Sequence, residues 1–432
     1  MKYPLSRRLM PIVAALFYVS MFCTSAGAAV DPVVTWSGLS LAPSSTYELD
    51  ALASINSTGL KVWSVSGSCT LKLGIVTTKA SGFCAVKLFA KSKGKFASKT
   101  SLKRYVIQTE NVAPLLPASF SVKTSLNGLG SDQVNDVFVS DSTIYAATDG
   151  GLSISVDGGT TFTNRTSVNG LGDGKRTDVR GVYAAGSTVY AATGGGLSIS
   201  VDGGTTFTNR TTAHGLGSNF VNKVYAVGST VYAATYEGLS ISVDGGSTFT
   251  NKSSANGLDG VGGWNVAEDV FVMGSTIYVA TRSGLGISVD GGATFTNRTV
   301  KNGLSFCCIS VFVSRTTIYV GGIGGLFISS DNGKSFKQPY KKYSWHYVIN
   351  DLFVVGNAIY AASSSVADSC KKCGGVSIST DGGATFKTYN FNTSNGMGNT
   401  ETSSVYVFGP KVYATQRRDM SDNSPGGLGI SD

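Results

Sequence analysis

One short motif, Ser155-Val156-Asp157-Gly158-Gly159-Thr160-Thr161-Phe162, recurs six times, around Asp157, Asp202, Asp244, Asp290, Asp331 and Asp381. The phenylalanines that end the copies are Phe162, Phe207, Phe249, Phe295, Phe336 and Phe386, spaced 45, 42, 46, 41 and 50 residues apart. A period of about 40–50 residues confines a chain to a solenoid, a propeller or an array. Within the first period, four short runs (134–139, 143–148, 151–156 and 161–166) are rich in Val, Ile, Thr, Tyr and Phe. Gly or Asp-Gly turns bound them, as in hairpins. No segment has helical periodicity long enough to compete. Four-stranded units at this period predict propeller blades.

The second run of each unit carries a tyrosine: Tyr145, Tyr190, Tyr232, Tyr278, Tyr319, Tyr360 and Tyr413. That makes seven units against six complete motifs. Residues 427–432 match only a third strand, so the last unit lacks its fourth. Upstream, residues 120–130 match 162–172 in register, as an orphan fourth strand would. If it pairs with the last unit, the ring closes and no sheet edge is left open. The expected fold is all-β: a seven-bladed propeller over 118–432, closed by an N-terminal strand.

The repeated motif resembles the Asp box, or BNR repeat, of the sialidase-like propeller superfamily. The interleaved Asn-Gly-Leu-Gly and Ala-Ala-Thr text is also similar to propeller repeats of two-component sensor proteins. The resemblance implies that the Asp box caps the hairpin between strands three and four, away from the active-site face. The residues agree with it: an aspartate in an Asp-Gly-Gly turn bonds nearby backbone, and glycine accepts the positive φ. Asp157, Asp202, Asp244, Asp290, Asp331 and Asp381 are therefore read as structural.

Residues 1–29 read as a secretory signal peptide. Lys2, Arg7 and Arg8 supply the basic start, 12–23 a short apolar core, and Ala26-Gly27-Ala28-Ala29 a cleavage site. No transmembrane segment is expected in the mature chain, which would be periplasmic or extracellular and bacterial. Residues 30–112 resemble a bacterial Ig-like β-sandwich domain, through Ser66-Gly67-Ser68-Cys69-Thr70 and Gly82-Phe83-Cys84-Ala85-Val86. The resemblance implies a Cys69–Cys84 disulfide, which suits an oxidising compartment. Residues 113–117, with Pro114 and Pro117, read as a short stiff linker.

The formal charge of +9 is unevenly spread: residues 30–117 hold ten Lys or Arg against four Asp or Glu, while the propeller is neutral. A basic small domain suits an acidic polymer, and export makes nucleic acid an unfavoured partner. Arg165, Arg210, Lys252 and Arg298 recur on fourth strands and read as charges protecting an edge.

Binding loops of a propeller join strand four to the next strand one, and strand two to strand three. These loops are most elaborate in units five to seven. They carry Tyr340, Lys341, Lys342, Tyr343, Trp345 and His346, then Lys371 and Lys372, then Arg417 and Arg418. Aromatic faces beside cations suit a sugar bearing carboxylate or sulfate. Cys370 and Cys373 fall in the second of these loops, and Cys307 and Cys308 in the loop entering unit five, on the same face. Disulfides are expected of them, as a local Cys370–Cys373 bond and either a vicinal Cys307–Cys308 bond or a link between the loops.

The Arg-Ile-Pro signature of sialidases is absent, and the propeller has only three glutamates, Glu237, Glu268 and Glu401. Arg180, Arg282 and Arg417 fall on the loop face, but nothing in the sequence places them together. Asp136, Glu268, Asp269 and Asp351 stand at the starts of innermost strands, where a glycosidase would need two carboxylates. No catalytic residue, cofactor or metal is assigned. The favoured reading is an exported, monomeric, non-enzymatic recognition or scaffold protein that binds a glycan or protein partner through the loop face of blades five to seven. The alternative is a glycoside hydrolase or lyase using the carboxylates at the channel mouth.

Overall fold

A computed structural model describes residues 116–432 except 141, 259–264, 306–307, 315, 340–346, 366–373, 391–400 and 418–425, together with the backbone of eight strands between 34 and 107. The chain divides into two compact units, Met1–Thr109 and Glu110–Asp432.

In the first unit, strand Leu60–Gly67 pairs with Gly82–Lys91, which pairs with Lys99–Ile107. Cys84 stands opposite Gly67 on one side and Tyr105 on the other, while Cys69 stands opposite Thr78 in a separate sheet. The Ig-like reading and the Cys69–Cys84 bond turn on side chains and segments outside the described residues, as does the signal segment.

The second unit is an all-β propeller of seven blades, and its described residues hold no α-helix, only three-residue 3-10 turns. Blade one is Val134–Ser140, Thr143–Thr148, Gly151–Ser155 and Thr163–Arg165, and blades two to four repeat it from Val179, Val221 and Ala267. Blade five starts at Cys308 and keeps three full strands; its fourth is reduced to one bridge, Ile328 to Lys337. Blade six starts at Tyr347. Blade seven is Thr402–Phe408, Lys411–Gln416 and Gly427–Ser431, completed by Phe120–Lys123 in the register Leu428 to Lys123 through Ser431 to Phe120. The first strand of this unit thus pairs with its last, and the ring closes.

Blades are glued face to face. Tyr145, Leu152 and Ile154 of blade one pack against Val179, Val182, Val189 and Phe207 of blade two, and the same set recurs around the ring. Ala146 and Ala147 are wholly buried, and Val279 and Val320 fill the position of Ala146 in blades four and five with equal burial. The Asn-Gly-Leu text between blades has its own cause. The Asn169 carbonyl accepts the Phe207 amide at 2.8 Å, Leu171 is buried, and Gly170 sits at φ 84 with no room for a Cβ beside the Phe207 carbonyl.

Candidate functional site

All seven first strands carry a β-bulge at the same place, between Val134 and Asp136 in blade one and between Thr402 and Ser404 in blade seven. A bulge re-aims the side chains around it. The bulged Asn135, Asn222, Asn350 and Ser403 each donate to a backbone carbonyl of the next blade, at 2.7–2.9 Å. Two residues past each bulge residue's neighbour, one aromatic ring per blade faces the axis. Phe138, Tyr183, Tyr225, Phe271, Phe312, Phe353 and Tyr406 form a closed collar, with successive centroids 4.8–5.7 Å apart. Burial pushes the Tyr183, Tyr225 and Tyr406 hydroxyl pKa values up.

Above the collar, toward the loop face, the same strands present a polar ring: Asp136, Gly181, Lys223, Asp269, Ser310, Asp351 and Ser404. Taken from blade four, it reads Asp-Ser-Asp-Ser-Asp-Gly-Lys. Each aspartate precedes a small residue on the next blade, which leaves room to reach across. Asp136 accepts the Val182 amide at 3.0 Å, Asp269 the Val311 amide at 2.9 Å, and Asp351 the Val405 amide at 3.2 Å. Lys223 crosses blade two to Asp136, 2.7 Å away. Ser404 Oγ lies 2.8 Å from Asp136 Oδ1 and 2.5 Å from Asp351 Oδ2. One hydroxyl proton serves only one of these acceptors at a time.

The charges do not cancel: three carboxylates face one ammonium. Burial pushes Asp269 up to about 6, with the Asp351 charge adding to it and Lys223 opposing it. Burial likewise raises Asp351, again against Lys223. Burial disfavours the charged form of Lys223, but Asp136, Asp351 and Asp269 outweigh it and hold its pKa above the ordinary value. Among the described residues, no group of three or more His, Cys, Asp or Glu is placed to hold a metal ion.

A second cluster lies on the loop face of blades two to four. Phe220, just before blade three, and Tyr236, just after its second strand, stack with centroids 5.1 Å apart. Three guanidinium groups surround them. Arg176 lies 4.5 Å over Phe220, Arg180 5.1 Å from Phe220 and 5.6 Å from Tyr236, and Arg282 5.9 Å from Tyr236. Arg180 pairs with Asp178 at 3.2 Å and Arg282 with Glu268 at 2.6 Å. Arg180 also donates to Asn222 and to the Tyr236 hydroxyl. Residues scattered from 176 to 282 are thus gathered into one patch. Loop variation also reaches blade two. The loop into blade two is three residues longer between Leu171 and Val179 than between Leu129 and Val134 of blade one, and it carries Arg176.

Of the residues proposed on blades five to seven, Tyr340, Lys341, Lys342, Tyr343, Trp345, His346, Lys371, Lys372 and Arg418 lie outside the described residues, as do Cys307, Cys370 and Cys373. Cys308 is buried opposite Gly322 in blade five. Arg417 is apart from Arg180 and Arg282; its Nε donates to Asn135 Oδ1 of blade one at 3.2 Å.

On the opposite face, each repeated aspartate organises its own turn. Asp202 accepts the Thr205 and Thr206 amides and the Ser200 and Thr206 hydroxyls. Such donors stabilise the charged form and depress all six pKa values. The largest contributor is the Thr161 amide for Asp157, a serine hydroxyl for Asp202 and Asp244, and the hydroxyls of Thr294, Ser335 and Thr385 for Asp290, Asp331 and Asp381. The recurring arginines do more than guard an edge. Arg165, Arg210 and Arg298 each donate Nε to a turn glycine carbonyl of the next blade, at 2.8, 2.8 and 2.6 Å.

No family model matches the chain, and no curated protein matches its sequence. Solved structures do. The extracellular domain of BT4673 from B. thetaiotaomicron, described in one structure as a one-component and in another as a hybrid two-component system, matches with TM-score 0.52 in both. Identity in the first is 14%, over 72% of this chain and 40% of that one. PorZ, a surface component of the type-IX secretion system of Porphyromonas gingivalis, matches with TM-score 0.53 at 12% identity, over 88% of this chain and 64% of that one. The chain therefore spans about two fifths of the first structures it matches. At these identities the likeness is one of fold.

Proposed function

We propose that this protein is an exported, non-enzymatic recognition module that binds an acidic glycan through the loop face of its propeller. The observation that carries the reading is the gathering of Arg176, Arg180 and Arg282 about the Phe220–Tyr236 stack. A guanidinium held flat against an aromatic ring keeps its N–H edge turned outward and ordered. Such an edge meets a carboxylate or sulfate bidentately. Asp178 and Glu268 fix the arginines and lower the net charge, so the site selects geometry as well as charge. In this reading the basic and aromatic loops of blades five to seven, from Tyr340 to His346 with Lys371, Lys372, Arg417 and Arg418, extend the same face.

The hydrolase alternative has less to support it. It needs one carboxylate as acid and another as base or nucleophile. Asp136 is committed to Lys223, and Asp136, Asp269 and Asp351 each accept an amide of the next blade.

The test is binding of the secreted chain to immobilised polyuronate, sulfated glycan, neutral glucan and poly-glutamate, beside R176A/R282A and a loop variant with Lys341, Lys342, Tyr343 and Trp345 changed to Ala. Retention on the acidic glycans, lost in R176A/R282A, supports the reading. Retention that survives R176A/R282A but not the loop variant moves the site to blades five to seven. Retention on poly-glutamate alone replaces the glycan with a protein partner, and retention on nothing removes the reading.

A further inference from the structure

The polar ring has two halves of different completeness. In one, Lys223 reaches across Gly181 to Asp136, so an ammonium spans the place of a small residue and meets a carboxylate. In the other, Asp269 and Asp351 flank Ser310 on the blade between them. Ser404, the next serine of the ring, contacts the carboxylates on both sides of it. Ser310 holds the equivalent register: it stands opposite Gly321 as Asp269 stands opposite Ala280 and Asp351 opposite Ala362. It shares a strand face with Phe312, whose ring is in the axial collar. Its side chain is therefore aimed into the channel. Yet Ser310 is only 2% exposed, and its Oγ has no hydrogen-bond partner among the described residues. A buried hydroxyl left without a partner is destabilising.

We propose that the channel binds one monovalent cation, by preference an ammonium group, between Asp269, Ser310 and Asp351. Three facts converge on this chemistry. The ring has a surplus of negative charge, since one lysine serves three aspartates. The unpartnered acceptor stands between the two carboxylates that lack an ion pair among the described residues. The collar rings Phe271, Phe312 and Phe353 stand two residues further along the same three strands, and an aromatic wall suits a cation. An ammonium offers three or four N–H donors to two carboxylates and one hydroxyl, as the Lys223 ammonium does on the other side. Calcium takes about six to eight oxygen ligands, more than the two carboxylates and one hydroxyl of this half. The site is separate from the arginine cluster and does not depend on it.

The test uses the full chain, titrated at constant ionic strength with ammonium, methylammonium, sodium and tetramethylammonium chlorides. Thermal melting and calorimetric titration are followed at pH 5 and pH 7.5. The proposal expects saturable binding of one ammonium or methylammonium per chain at pH 7.5. It expects that binding to be at least tenfold weaker for sodium, absent for tetramethylammonium, and weaker at pH 5, where protons compete. D269N should abolish it and S310A weaken it about tenfold, while E237Q, on an exposed turn, leaves it unchanged. Equal responses to all four cations would mean screening only, and a melting temperature that depends on pH but on no cation would mean that protons alone balance the charge. Either result overturns the site. The cation series on the unaltered chain decides the matter even if D269N fails to fold.

Discussion

Lys223 Nζ lies 2.7 Å from Asp136 Oδ1, although one sits on blade three and the other on blade one. The residue between them, Gly181 of blade two, has no side chain, and a Cβ there would lie 2.7 Å from the Asn222 carbonyl and 3.1 Å from Lys223 Cδ. The glycine is the passage through which the lysine stem runs. G181A should therefore cost about 1–3 kcal/mol by overpacking, read as a lowered urea midpoint with an unchanged slope. K223M, which leaves the buried Asp136 without its ion-pair partner, should cost about 3–5 kcal/mol. K223M/D136N should recover part of that loss. If the double variant is no more stable than K223M, the pair is not coupled as described.

The arginine latches predict a graded series. Arg165 donates to the Gly204 carbonyl, and Gly204, at φ 88, presses against blade one so closely that a Cβ would lie 2.5 Å from Ile154 Cδ1. R165M and R210M should each lose about 1–2 kcal/mol, the worth of a partly buried hydrogen bond from a charged donor. Lys252, the blade-three counterpart, makes no such bond among the described residues, and K252M should stay within about 0.5 kcal/mol. Equal losses in all three would reduce the arginines to edge charges.

Closure by Phe120–Lys123 predicts what happens when that strand is removed. Its deletion leaves Gly427–Ser431 with an unpaired edge and takes Phe120 from a cluster that includes Tyr389 and Val405. The melting temperature should fall by more than 10 °C, and size-exclusion chromatography should show edge-to-edge oligomers. Removing the preceding residues 30–112 should do neither.

The propeller was legible because a blade is a local object. Hairpin turns, alternating strands and the second-strand tyrosines recur within about 40 residues, and the orphan strand at Phe120 is readable as the missing copy of Phe162. The arc Asp136, Asp269 and Asp351 was visible as carboxylates on inner strands. What was hidden is relational. That Ser404 stands between Asp136 and Asp351, or that Arg176 covers Phe220, follows from the angle between blades and not from any spacing in the chain. Gly181 looks like any other glycine until Lys223 is seen to pass over it. The loop into blade two exceeds that into blade one by only three residues, yet it places a guanidinium 4.5 Å from an aromatic centroid.

The last prediction concerns pH, where two sets of aspartates act in opposite directions. The six turn aspartates have folded pKa values below their ordinary value, about 2 in the case of Asp381. A depressed folded pKa contributes stability that is present above the unfolded value of about 4 and lost as pH falls through the folded one. Asp269 is the reverse: its folded value is about 6, so its favourable contribution is full below about 4 and is lost as pH rises through 6. Asp351, also raised by burial, acts in the same direction. Melting temperature in a sodium buffer should therefore decline from about pH 4.5 to 6.5, and fall again on acidification below about pH 4. D269N should flatten the first decline and leave the acid limb intact. D202N should shrink the acid limb and leave the first decline. Because an ammonium between Asp269 and Asp351 would compensate the charge that forms as pH rises, ammonium salt should flatten the first decline in the unaltered chain and do nothing further in D269N.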